Sequence, residues 1–163
     1  MASDKERTGP LADPFNKFIR LVFTLSNGKH LAFSDMRKFG KVVLLDTKPA
    51  HDTAHLLGLG PEPLEKKFTW NILKSLFLNH KSLPVKVVLL DQTVVSGIGN
   101  IYASESCFDA GIDPKIRVKD LSDQQIKKLH TGIIKSLQDG IKYGGSSRAH
   151  FVDSDGKKGY FLD

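Results

Sequence analysis

Cysteine is almost missing from this chain: Cys107 is the sole example in 163 residues. One thiol excludes a disulfide framework and a cysteine-based zinc site built within a single chain. It suits a reducing compartment. No apolar run approaches the roughly 20 residues that a bilayer-spanning helix needs. The opening residues, "MASDKERTGPLADP", hold no apolar core of the kind a secretory signal requires. The six histidines show no metal-ligand spacing, and there are no internal repeats or low-complexity tracts. These absences leave a cytoplasmic protein as the expectation, with 40% hydrophobic and 26% charged residues, an ordinary globular balance. The length allows one domain or two small ones.

What is present is positive charge. The net charge is +6 and the pI about 9.4. A basic balance favours a polyanionic partner, although small domains also carry charge of this size for solubility alone.

Met1 to Pro14 reads as a loop, broken by Gly9-Pro10 and Asp13-Pro14. "FIRLVFTL" and "KHLAFSD" flank "SNG", and Asn27-Gly28 is a strong hairpin signal because both residues tolerate φ > 0. "KVVLLD", Lys41 to Asp46, reads as a third strand. Helical signals then take over. Thr69 suits the N-cap of "WNILKSLFLNH", and Pro84 the first turn of a short helix, "PVKVVLLDQ". A third helix is expected from Asn100, as N-cap, to about Ala110, with Gly111 at the C′ position and Pro114 beyond. The fourth carries a Ser122/Gln125 capping box and a Leu121/Ile126 staple. Its apolar face is Ile126, Leu129, Ile133, Leu137 and Ile141, and Gly144-Gly145 ends it. The tail, "SSRAHFVDSDGKKGYF", is polar and turn-rich. The fold class is therefore α+β, strands first and helices after. The boundary is expected near Gly58 to Glu65, dividing the chain into residues 1–64 and 65–163.

The stretch with the most to explain is "LLDQTVVSGIGNIYASE", Leu89 to Glu105. Two glycines and an asparagine lead into a helix. Unpaired N–H groups and the helix dipole at such a start favour an anion. Glycines at 97 and 99 remove the Cβ atoms that would hold a phosphate off. The residues alone also fit a tight turn and a plain cap.

"LLDQTVVSGIGNIYASESCFDAGIDP" resembles the helix–two-turn–helix element of the formamidopyrimidine-DNA glycosylase / endonuclease VIII family. "SDMRKFG" resembles the family's loop carrying an arginine and a phenylalanine, and "LGPEPL" its interdomain segment. "GGSSRAHFVDSDGKKGYF" resembles its lesion-recognition loop. The resemblance runs from about Leu11 to Phe161, in family order and spacing. It implies a partial antiparallel β-sandwich followed by a helix–two-turn–helix DNA-binding domain. It also implies base-excision repair: duplex DNA is kinked, a damaged base is flipped out, and the glycosidic bond and backbone are cut through a Schiff base. The family acts as a DNA glycosylase and AP lyase, here with oxidised purines as the expected lesions.

Carried over by position, Asn100 and the Gly99 backbone imply a phosphate contact beside the flipped nucleotide. Lys81 and Lys86 match basic positions that face DNA. Arg37 and Phe39 match a wedge that fills the void and unstacks the neighbouring step, offsetting the cost of flipping. Ser146, Ser147 and Arg148 fall in the loop that contacts the flipped base. From the residues alone, Phe39 also fits a core aromatic, Lys81 and Lys86 solvated lysines, and "GGSSR" a flexible helix exit. Cys107, mid-helix beside Phe108, reads as a buried small apolar residue.

The departures from the family lie at both ends. Its nucleophile is an N-terminal proline followed by glutamate, in "PELPEVE"-like sequence, whereas this chain starts "MASDKER". Phe18 stands where many members have a histidine. The catalytic lysine of the family's upstream half and the C-terminal zinc finger have no counterpart. Hence no catalytic residue, metal site or cofactor is expected in this chain, and inactivity alone is. Ala2 is not expected to supply a substitute amine. The expected partner is damaged double-stranded DNA, with no membrane. The expected status is a fragment of a glycosylase, alternatively a non-catalytic DNA-binding module or a subunit complemented by a partner chain supplying the N-terminal half.

Overall fold

The computed structural model describes residues 17–45, 57–147 and 157–162. Strand β1, Ile19–Thr24, pairs antiparallel with β2, His30–Ser34. β1 is rich in the β-branched and aromatic residues that fit a pleated surface, and β2 adds Phe33. Phe23 lies opposite Leu31 and Leu21 opposite Phe33, so one face of the hairpin is apolar. The expected hairpin is present, and of the two turn residues only Gly28 (φ 77°) is left-handed. The Leu25 N–H donates to the Lys29 carbonyl at 2.9 Å and the Gly28 N–H to the Leu25 carbonyl at 3.0 Å. This is a three-residue loop closed by a left-handed glycine. Asn27 stabilises it through its side chain, which accepts from the Lys29 N–H at 3.0 Å.

The expected third strand is a correction. Lys41–Leu45 form no ladder among the described residues, and Asp46 lies outside them. A strand exists only by pairing, and Val42, Val43, Leu44 and Leu45 are exposed. The apolar pattern is real, but no neighbouring strand among the described residues uses it.

The architecture is α+β. Contacts divide the chain into Met1–Lys48 and Pro49–Asp163, ahead of the expected boundary near Gly58 to Glu65. The reason lies in two backbone bonds. The Gly60 N–H donates to the Gln92 carbonyl at 2.8 Å and the Ser96 N–H to the Pro61 carbonyl at 3.2 Å. They tie the Gly-Pro-rich segment to the helical unit, so it does not act as a free linker.

In the helical unit, α1 (Trp70–Phe77) starts at Thr69, whose hydroxyl accepts from the Ile72 N–H. A short 3-10 turn, Leu78–His80, extends it. Helix α2 is Val85–Leu90, with Pro84 at the N-cap, one position ahead of the expected first turn. Helix α3 is Asn100–Ala110 and ends on left-handed Gly111 (φ 64°). Helix α4, Asp123–Lys142, opens with the expected Ser122/Gln125 capping box.

The core gathers Leu73 and Phe77 of α1, Val88 and Leu89 of α2, and Leu129 and Ile133 of α4. Each such side chain contributes roughly 1.5–3 kcal/mol by leaving water. Helices α3 and α4 run antiparallel and close together. A Cβ at Gly132 would fall 2.8 Å from the Ser106 carbonyl oxygen, so only glycine permits this approach. The buried hydroxyls of Ser106 and Ser136 satisfy each other at 2.9 Å. Ile141 departs from its expected place on the buried face and is 71% exposed. Gly140 already packs against Tyr102, in the first turn of α3, so the next residue runs past the end of its partner helix.

Candidate nucleic-acid interface

The turn between α2 and α3 is built by side chains that clamp its backbone. The Asp91 carboxylate accepts from the Thr93 N–H at 2.9 Å and hydroxyl at 2.6 Å. These bonds, the hydroxyl's first, hold its pKa below the usual carboxylate value. The Gln92 amide spans the glycine turn, donating to the Ile98 carbonyl at 2.9 Å and accepting from the Gly97 N–H at 2.8 Å. Ser96 is held from the other side by Pro61, and its hydroxyl lies 3.4 Å from the Glu62 carboxylate. Gln92 and Glu62 have no local signal, because their bonds reach across the turn or to another segment.

The two glycines do different work. Gly97 sits at φ 78°, a conformation that costs an L residue roughly 1 kcal/mol. Gly99 sits at φ −97°, ψ 179°, ordinary extended backbone, and an added Cβ there would meet nothing within 4 Å. The fold therefore needs glycine at 97 and has no use of its own for glycine at 99.

Asn100 is corrected from N-cap to first helical residue, because Gly99 is the N-cap. The backbone is still extended at 99 and already helical at 100. Helix α3 has no side-chain cap and no acidic residue in its first turn, whereas α1 and α4 are capped by Thr69 and Ser122. Among the described residues, no side-chain cap takes up the first-turn N–H groups of α3. Asn100 is exposed, and its side chain makes no hydrogen bond among the described residues.

Lys86 is half-buried. Its ammonium donates to the Ser104 hydroxyl at 2.8 Å, and that hydroxyl donates to the Asn100 carbonyl at 2.9 Å. Lys86 thus stands one helical turn from Asn100, and Ser104 joins the site unforeseen. Lys81 is exposed, with its carbonyl accepting from the Lys119 N–H at 3.0 Å. Cys107, buried below this row, has its thiol pushed up to about 11, mainly by burial; it is the small apolar residue expected. Among the described residues no His/Cys/Asp/Glu group could hold a metal ion. With one cysteine in the chain, the residues present do not fit the zinc of the family's finger.

The described ends of the C-terminal loop are tied together. The Tyr160 N–H donates to the Tyr143 carbonyl at 2.9 Å and the Phe161 N–H to the Gly145 carbonyl at 3.0 Å. The Phe161 ring lies 5.0 Å from Tyr102. Ser146 is buried and Ser147 half-buried at this stem. Arg148 lies outside the described residues.

The other candidates belong to the first unit. Asp35 organises their loop. Its carboxylate accepts from the N–H groups of Arg37 (2.9 Å), Lys38 (2.8 Å) and Gly40 (2.7 Å). These bonds, Gly40's foremost, hold its pKa below the ordinary value. Lys38 takes a left-handed φ of 59°. The result turns Phe39 outward, 73% exposed, with the Arg37 guanidinium 4.6 Å from its ring centroid. Phe39 is not a core residue.

A short helix, a clamped double turn and an uncapped helix packed against a long antiparallel one define a helix–two-turn–helix domain. Residues 59–152 match the family model described as "Formamidopyrimidine-DNA glycosylase H2TH domain". Formamidopyrimidine-DNA glycosylases of Bacillus subtilis and Desulfitobacterium hafniense are similar, at 40% identity over 91% of this chain and 41% over 89%. The chain covers 54% and 52% of those relatives, about half their length. The MutM (Fpg) protein from Thermus thermophilus superposes with a TM-score of 0.77 at 30% identity, over 88% of this chain and 54% of that one. The Lactococcus lactis Fpg in complex with abasic-site-containing DNA gives 0.70 at 32%, over 79% and 47%. The chain belongs to the formamidopyrimidine-DNA glycosylase / endonuclease VIII family.

Proposed function

We propose that this chain binds damaged duplex DNA in base-excision repair, as the DNA-holding part of a glycosylase/AP lyase acting on oxidised purines. The observation that carries the reading is Gly99: a glycine the fold does not require, open to solvent, at the uncapped start of α3. A phosphate seated there would accept from the first-turn N–H groups, with the Asn100 amide beside it. Lys86, steadied by Ser104, and Lys81 would face neighbouring phosphates. In the first unit, exposed Phe39 would unstack the step beside the lesion and Arg37 would fill the void. Ser146, Ser147 and Arg148 would contact the flipped base. Structures of Lactococcus lactis Fpg with abasic-site and Fapy-dG DNA support this partner.

The reading assigns this chain no cofactor and no catalytic residue of its own, and places it in the cytoplasm, on the nucleoid if bacterial. Among the described residues, no helix is long and apolar enough to cross a membrane. The apolar hairpin face of Leu21, Phe23 and Leu31, exposed here, favours a second reading. In it, another polypeptide supplies the rest of the β-domain, and this chain serves as a binding module or complementing subunit. Fluorescence anisotropy at low salt, with intact and abasic-site duplexes, tests the binding. Tighter, salt-sensitive binding to the abasic duplex is expected, and no binding contradicts it. Borohydride trapping on abasic DNA tests the chemistry. Rapid, saturating cross-linking of the 163-residue polypeptide at neutral pH would contradict its assignment as a binding part without a nucleophile.

A further inference from the structure

Two short segments of the helical unit run antiparallel outside any named strand. The Lys86 N–H donates to the Pro114 carbonyl, Val85 to Ile116, Val118 to Leu83 and Lys119 to Lys81. Pro84 and Arg117 form the bridge. Along 115–119, cations alternate with apolar residues. Ile116 is half-buried and Val118 buried, while Lys115, Arg117 and Lys119 are exposed. Residues 81–86 and 113–120 carry five cations against two carboxylates, Asp113 and Asp120. Their net charge is +3, half of the chain's +6.

Asp113 and Asp120 offset this charge only in part. Lys81, Lys115, Arg117 and Lys119 make no side-chain hydrogen bond or ion pair among the described residues, whereas Lys74 is paired with Asp123 and Lys135 with Asp109. Like charges gathered on two adjoining short segments repel and cost stability until an anion arrives. The ridge also abuts the phosphate seat. Pro114 is bonded to Lys86, whose ammonium reaches Ser104, which in turn reaches Asn100.

We infer that Lys115, Arg117 and Lys119, with Lys81, form a second phosphate track that carries duplex DNA away from the Gly99–Asn100 seat. This rests on the DNA-binding reading above and adds residues to it. The track meets the sugar–phosphate backbone and carries no base information. Each phosphate contact adds about 0.9 to the slope of log affinity against log salt.

The test compares two variants of the whole chain by anisotropy on an abasic-site duplex across a salt series. One is Lys115→Ala/Arg117→Ala/Lys119→Ala. The other, of equal charge loss, is Lys66→Ala/Lys127→Ala/Lys128→Ala, all exposed and off the ridge. The ridge variant should bind at least about tenfold more weakly at low salt, with a slope shallower by about two to three. The control should stay close to the parent. Single Lys115→Gln and Arg117→Gln variants, checked by thermal melting, guard against a folding defect and should each lower the slope by about one. An unchanged slope in the ridge variants, or an equal fall in the control, overturns the track while leaving DNA binding standing. A parent chain that does not bind overturns both.

Discussion

The Lys86 ammonium donates to the Ser104 hydroxyl at 2.8 Å, joining α2 to α3 one turn after Asn100. The bond turns a long, flexible cation into a positioned one. Its two partners are separable. Lys86→Ala removes a charge and should lower the salt slope of DNA binding by about 0.9. Ser104→Ala keeps the charge and loses only its orientation. It should leave the slope unchanged while weakening affinity a few-fold, and cost about 1 kcal/mol of stability. Salt-series anisotropy and chemical denaturation read the two apart.

Asp35 should control the Arg37–Phe39 loop without touching DNA itself. Asp35→Asn replaces an acceptor-only carboxylate by an amide that offers one oxygen to three N–H groups. It should erase the preference for abasic over intact duplex as fully as Phe39→Ala does, with little change in binding to intact DNA. The pH dependence has a definite sign. The folded pKa lies below the unfolded one, so the stabilisation is present above the ordinary Asp value and is lost as pH falls through the folded value. Amide NMR shifts of Arg37, Lys38 and Gly40 should titrate together below pH 3.8. Titration at or above that value would contradict the anchoring role.

Cys107 should be inert in the folded chain. Its thiol lies at about 11, against an ordinary 9.0, chiefly through burial. A raised pKa contributes stability that is complete below pH 9 and lost as pH rises towards 11. Thiol reagents at neutral pH should label it only on unfolding, and the melting temperature should fall across that alkaline window. Prompt labelling of native protein would contradict this.

The elements readable in advance were those whose signals are local. The Ser122/Gln125 box, the Thr69 cap and the glycine at 111 each act within a few residues, and all three stand where expected. What escaped depends on distant partners or on side-chain bonds to nearby backbone. Lys41 to Leu45 has strand composition, yet a strand is a relationship with a neighbour. The Gly60–Glu65 segment has linker composition but is held by Gln92 and Ser96. Gln92 and Asp35, which shape the two candidate contact loops, act through side-chain bonds to backbone that no spacing rule announces. Asn100 and Gly99 are both good N-cap residues, so the sequence could not choose between them. The geometry does, and it gives Gly99 the cap and Asn100 an amide with no hydrogen bond among the described residues.

That choice makes the central claim directly testable with Gly99→Ser. Serine is a better N-cap than glycine by a few tenths of a kcal/mol, and its Cβ meets nothing within 4 Å. Its hydroxyl would accept from the first-turn N–H groups of α3, the donors that the phosphate is held to use. If Gly99–Asn100 is a phosphate seat, Gly99→Ser should melt at or slightly above the parent's temperature and bind an abasic-site duplex at least about tenfold more weakly. A stabilised variant that binds DNA as tightly as the parent would show that Gly99 serves only the turn, and would contradict the account.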